Sequence, residues 1–280
     1  MKFRKLTRPL FRQGKGLHSG REFSLSIEPS EEPLSLEAWG ERRFLPELTL
    51  EGTGRGSDLI FPGGRRVRTC EHVLSALTGL GVWRAKLVVR GEGDALEMPG
   101  LDGCAENVAR EVLEASVPGD GLEPLTLQCP VHVGDLGTGR PRFVAALPSP
   151  DFCVTCVIDY DAAPIGTEIL DFGGSSDYLK EIAPARTFVM KADIEALRAA
   201  GLILGGSLTS AILVNGTGVE TEGGLRFPNE FVRHKTLDLL GDLACLGRPL
   251  VAHVVAVRAG HVQHLRLVER LRALAGPFIP

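Results

Sequence analysis

Apolar positions along the chain come in short runs, and most of those runs have the length and alternation of strands. FSLSIEP (23–29) alternates strictly, the pattern of a strand with one buried face. WRAKLVVRG (83–91), LTLQCPVHV (125–133), RFVAALP (142–148), FCVTCVIDY (152–160), SAILVN (210–215) and LVAHVVAVRAG (250–260) are further strand candidates, rich in β-branched residues. A helical period appears in five places. Residues 71–80 place Val73, Leu74, Leu77 and Leu80 on one face, and 107–115 does the same with Val108, Val112 and Leu113. Residues 193–200 form a short helix, 230–246 the longest, and 262–274 a closing one. Strands and helices alternate irregularly, which predicts an α+β fold rather than a doubly wound sheet. The turn-rich link at 116–124 predicts a boundary, giving domains 1–118 and 119–280. The halves echo one another: Leu80-Gly81 and Leu246-Gly247 each end a helix and precede a strand.

Composition narrows the classes without choosing a function. The chain has 280 residues, with 34 glycines and 18 prolines, well above the average share and suited to many turns. Net charge is −4, so no basic face for nucleic acid is indicated. The start is basic but lacks a continuous apolar core, so it reads as a first strand and not a secretory signal. The longest uncharged run, 199–219, contains five glycines and is no membrane span. Six cysteines are scattered in apolar contexts and read as reduced. Cys153 and Cys156 sit on a strand candidate at i and i+3, which face opposite sides and do not share one metal.

No P-loop, complete dinucleotide fingerprint, nucleophile elbow or H-E-x-x-H occurs. What does occur is a stripe. His234, Asp238 and Asp242 recur every four residues on the longest helix, so they drift only about 40° per step along one edge. His at i with Asp at i+4 suits a divalent metal, or an ordinary solvated face. Glu71-His72 opens the first helix and offers a third ligand with an adjacent carboxylate to take a proton from water. His261 ends the last strand candidate, a place for acid/base chemistry or for a surface imidazole. His132, His253 and His264 read as strand or surface residues, and His18 is left open.

In this order, GKGLHSG (14–20), TCEHVLSALTGLGV (69–82), MPGLDGCA (98–105), ARTF (185–188), GLILGGSLTSAILVN (201–215), LRFPNEFVRHKTLDLLGDLACLG (225–247) and RAGH (258–261) resemble the UDP-3-O-acyl-N-acetylglucosamine deacetylases, zinc amidases of lipid A biosynthesis. The resemblance runs from about residue 10 to 268. It implies two related two-layer domains forming a β-α-α-β sandwich of the ribosomal S5 domain 2-like kind. It implies Zn2+, or Fe2+, on His72, His234 and Asp238, with Glu71 as general base. His261, oriented by Asp242, and Thr187 would stabilise the oxyanion. Phe188 and Lys235 would contact substrate, Tyr160 would stack on uracil, Arg142 would meet the diphosphate, and Phe188, Leu208 and Ile212 would wall an acyl passage within 188–213.

The implied partner is UDP-3-O-acyl-N-acetylglucosamine, with no nucleic acid and no transmembrane segment. A cytoplasmic, monomeric enzyme approaching the membrane peripherally is the corresponding expectation. Departures stand at 161–168, at Val189 and at Gly260-His-Val-Gln-His264, and bear on nucleotide contacts and acyl length. Two other readings remain at this stage. A zinc amidase for a different N-acetylated sugar would act equally well without the acyl chain. A non-catalytic UDP-sugar or lipid-binding protein would have no use for Glu71.

Overall fold

The computed structural model describes residues 2–100, 102–137, 139–162 and 164–278. Leu101 of the 98–105 motif and Ala163 of the 161–168 stretch lie outside them. The fold is α+β, and its centre is a topology used twice. One five-stranded sheet uses Leu10–Lys15, Glu22–Pro29, Ser35–Ala38, Glu41–Phe44 and Ala85–Arg90. The other uses Val131–Asp135, Arg142–Leu147, Cys153–Asp159, Thr167–Gly173 and His253–Val257. Counted in chain order within each sheet, the strands lie 1-2-5-3-4. The fifth is parallel to the third and antiparallel to the second in both.

Helices follow the same duplication. In chain order they are α1 (Glu71–Gly79), α2 (Glu106–Glu114), α3 (Tyr178–Glu181), α4 (Ile194–Ala199), α5 (Glu230–Ala244) and α6 (His261–Ala275). In each half a helix precedes the fifth strand (α1, α5) and another follows it (α2, α6). Alternation explains how the sheets meet them. Phe23, Leu25 and Ile27 turn inward on Glu22–Pro29, as do Val154, Cys156 and Ile158 on Cys153–Asp159. Cys153 therefore faces away from Cys156, and all six cysteines are free thiols.

Between the sheets, α1 and α5 pack directly on each other. Nearly all of α5 is buried, polar stripe included. The helices touch at Gly241, where a Cβ would overlap the backbone of Glu71. Their closeness is what brings side chains from residues 71–72 and 234–242 into one place. Beyond the repeated core, Thr49–Gly52, Ser57–Ile60, Arg66–Arg68 and Ala95–Glu97 form a four-stranded sheet. Phe188–Met190, Ile212–Asn215 and Gly218–Glu220 form a three-stranded one beside α4.

Three expectations need correction. The run 125–133 is two strands, Leu125–Thr126 and Val131–Asp135, because Pro130 has no N–H for a continuous ladder. The run 250–260 breaks at Ala252 and ends at Val257, after which Arg258 takes a positive φ of 53°. His261 consequently opens α6 instead of ending a strand. Among the described residues no helix is long and apolar enough to cross a membrane.

Gly241 yields a stability test. Alanine is the better helix former by up to about 1 kcal/mol, yet here its methyl would meet backbone that cannot yield. We expect Gly241→Ala to lose about 1–3 kcal/mol net by urea denaturation, in the range of overpacked cores. A gain in stability would refute the close crossing.

Candidate active site

The stripe of α5 does not face solvent. His234 is 2% exposed and Asp238 and Asp242 are 1% exposed, so the solvated-face reading falls. His72, from the first turn of α1, joins them. Its Nε2 lies 3.6 Å from Asp238 Oδ1, and His234 Nε2 lies 3.3 Å from the same oxygen. The three ligand atoms are within 4.8 Å of one another. His234 donates Nδ1–H to the Ala185 carbonyl at 3.0 Å, which leaves the Nε2 lone pair free. Asp238 Oδ1, facing both imidazoles, is buried with no hydrogen-bond partner among the described residues. A buried carboxylate oxygen left bare is costly, and two imidazole nitrogens with a carboxylate are a donor set that suits a divalent ion such as zinc. These residues fit a metal.

On the other side of the cluster stands a second network. Asp242 Oδ2 accepts from His261 Nδ1 at 2.9 Å and from His264 Nδ1 at 2.8 Å, while Ser57 Oγ binds the other carboxylate oxygen. His261 Nε2 points toward Asp238 Oδ2 at 3.6 Å. His264 is thus a correction: it is 2% exposed and belongs to the site network, neither strand nor surface. Its spacing from His261, i and i+3 on one helix face, was the signal available in the sequence. Against the penalty of burial, Asp242 and Asp238 raise the His261 imidazole to about 9. Burial lowers His264 despite the same Asp242, so the two imidazoles are shifted in opposite directions.

Glu71 lies between the two groups. Ser57 N donates to its Oε2 at 3.2 Å, and a Cβ at Gly56 would stand 2.9 Å from its Oε1, so glycine there leaves the carboxylate room. Burial pushes the Glu71 carboxyl up, opposed by the charges of His261 and His72. Burial also lowers His234 to about 4, Asp238 opposing. Asp238 itself is held well below the carboxylate range by His234, Lys235 and His261, against its own desolvation.

A cavity of about 90 Å³ opens on this cluster, bordered also by Tyr160, Thr187, Phe188 and Lys235. Phe188 is its hub: it meets Tyr160 and Phe231 edge-on at 5.6 and 5.0 Å, and Lys235 Nζ lies 5.7 Å from its ring centre. Lys235 Nζ also bonds Asp238 Oδ2 at 2.7 Å. Adjoining it is an apolar passage of about 250 Å³, walled by Phe188, Val189, Ile203, Leu208, Ala211 and Leu213. His18 lines this passage as well. Ile212 does not: alternation along Ile212–Asn215 turns it into the core, 0% exposed. Arg142 borders neither cavity. It lines a cleft of about 790 Å³ beside α6, with Arg266 and Arg270.

A family model for UDP-3-O-acyl N-acetylglycosamine deacetylase matches residues 4–273. The UDP-3-O-acyl-N-acetylglucosamine deacetylase of Myxococcus xanthus is 34% identical over 275 residues, covering 92% of this chain and 82% of that protein. The protein of the same name in Anaeromyxobacter dehalogenans is 35% identical over 272 residues, covering 93% and 84%. One from Neisseria meningitidis is 33% identical over 284 residues, covering 96% and 90%.

The segment carrying Thr187 and Phe188 is fixed by a buried ion pair. Arg186, 2% exposed, gives Nε to Glu230 Oε1 at 2.9 Å and Nη2 to Oε2 at 3.1 Å, and its backbone N also binds Oε1 at 3.0 Å. Its remaining donors reach Thr221 Oγ1 and the carbonyls of Glu222 and Gly224. The first residue of α5 is thereby tied to the wall of the cavity. Removing one partner strands a buried charge, so Glu230→Ala should lose about 3–5 kcal/mol in chemical denaturation; a loss below about 1 kcal/mol would show the pair to be dispensable.

Proposed function

The chain belongs to the UDP-3-O-acyl N-acetylglycosamine deacetylase family, and from that membership we infer both its reaction and the residues that perform it. It is an amide hydrolase of lipid A biosynthesis that deacetylates UDP-3-O-acyl-N-acetylglucosamine. The products are UDP-3-O-acyl-glucosamine and acetate. The observation that carries the site assignment is the bare, buried Asp238 Oδ1 faced by His72 and His234 with Glu71 alongside.

His72, His234 and Asp238 hold the metal, read as Zn2+, for which Fe2+ is the alternative suited to the same ligands. Such an ion, when bound, supplies Lewis acidity and lowers the pKa of water toward 7. Glu71 takes the proton of the attacking water, and burial, by raising its carboxyl above the ordinary range, favours its gain of that proton. His261, kept cationic by Asp242 and Asp238, faces the oxygen that becomes negative, and the Thr187 hydroxyl adds a further donor. The departing amine is protonated by Glu71 or by His261. Asp242 fixes the His261 ring through Nδ1, with His264 and Ser57 completing its coordination.

Tyr160 offers its ring to the uracil, Lys235 its cation to the diphosphate, and Phe188 and Leu208 their surfaces to the acyl chain. Arg142, in the neighbouring cleft, serves a diphosphate only if the nucleotide extends along α6. On the family reading the enzyme works in the cytoplasm as a monomer, meets its substrate at the membrane periphery, and divides into domains 1–118 and 119–280.

Glu71→Ala should keep one metal ion per chain while kcat falls about 10²–10⁴-fold; full turnover by that variant would sink the base assignment. Asp238→Ala should lose the metal on dialysis, read by elemental analysis. Unchanged zinc content would remove Asp238 from the ligand set.

A further inference from the structure

Arg55 stands where the two cavities meet. Four residues border both the metal-cluster cavity and the apolar passage: Leu17, Arg55, Thr187 and Phe188. Leu17 and Phe188 have no side-chain donor, Thr187 has one hydroxyl, and Arg55 has five N–H groups in a rigid fork. Among the described residues the guanidinium makes one bond, from Nη2 to Asp193 Oδ2 at 2.8 Å. Four donors remain for a ligand.

The loop that carries Arg55 is well tied. Thr53 Oγ1 donates to the Gly56 carbonyl at 2.9 Å and accepts from Arg55 N at 3.1 Å. The Arg55 carbonyl lies 3.3 Å from His18 Nε2. Asp193 belongs to the helical turn Lys191–Asp193 that leads into α4. The ion pair therefore links the N-terminal half to the segment beside the passage and directs the guanidinium toward its mouth.

The next step rests on the deacetylase reading. In UDP-3-O-acyl-N-acetylglucosamine the acetamide on C2 and the ester on C3 are attached to bonded carbons. With the acetamide at His72, His234 and Asp238, the ester carbonyl falls where the cluster cavity opens into the passage, and the hydrocarbon continues into the passage. A carbonyl taken out of water there needs a donor. We propose that Arg55, braced by Asp193, hydrogen-bonds the carbonyl of the 3-O-acyl ester and so selects acylated over unacylated sugar. Arg55 is then a specificity-determining residue that touches substrate one carbon away from the scissile amide.

The test compares wild type, Arg55→Met and Arg55→Lys on three compounds. These are the 3-O-acyl ester, a 3-O-alkyl ether of equal chain length that lacks the carbonyl, and UDP-N-acetylglucosamine. Arg55→Met should lower kcat/KM on the ester about 10- to 100-fold, the range for a charged donor, chiefly through KM. Its loss on the ether and on the chainless sugar should stay within about twofold, and Arg55→Lys should recover part of the ester activity. Equal losses on ester and ether, or no loss on the ester, overturn the assignment. If wild type deacetylates none of the three, the deacetylase reading itself falls and the Arg55 assignment with it, a result distinct from both others.

Discussion

The contact between α1 and α5 is the constraint from which the rest follows. Two helices approach closely enough at Gly241 to exclude a methyl group, and they do so with polar residues on the meeting faces. The side chains of that seam are buried, and only the small cavity beside Phe188 reaches them. Asp238, Asp242, Glu71, His72, His234, His261 and His264 must then satisfy one another or bind something else. Asp242 is fully satisfied by two imidazoles and a hydroxyl. Asp238 is not, and the vacancy in its hydrogen bonding coincides with the point where two imidazole nitrogens converge. The site is the remainder left when a buried polar seam has balanced everything it can by itself.

Charge within the seam is divided by geometry. Two carboxylates sit four residues apart on α5, and each collects a different set of basic side chains. Asp238 is held by Lys235 and the histidines around it, while Asp242 shares its charge between His261 and His264. Around Asp242 the two imidazoles are pushed in opposite directions: burial lowers His264, while Asp242 and Asp238 outweigh burial and raise His261. The second carboxylate, Asp238, 3.6 Å from His261 Nε2, adds to the rise of His261, and the charge of His261 in turn lowers His264.

How much of this was legible in the sequence depends on the range of the interaction. The i, i+4 spacing of His234, Asp238 and Asp242 is local and was readable, as were the helices at 71–80, 107–115 and 230–246 and most of the long strands. The echo between halves was readable only as similar helix endings; its real form is the 1-2-5-3-4 strand order, which depends on pairings that local patterns do not encode. Short strands such as Arg66–Arg68 carry charge at most positions and owe their state to their partners. His264, flanked by Gln263 and Arg266, reads locally as surface, yet one face of α6 is buried and carries it inward. Arg186 lies inside the ARTF motif, but its partner Glu230 is 44 residues away, and Ser57 meets Asp242 and His261 across 185 and 204 residues with nothing local to mark it. Ile212 and Leu213 were distinguishable only once strand register was known.

The repeated topology places α1 and α5 at matching points of two sheets, yet it yields one site and not two. α1 and α5 occupy equivalent places in their sheets, so a pair of identical halves meeting through these helices would present every side chain twice across the seam. Here one helix contributes a glutamate and a histidine at its first turn, and the other a histidine and two aspartates along its middle. The strand order is shared and the chemistry is not. A single reaction centre exists because the two halves bring different residue types to one seam.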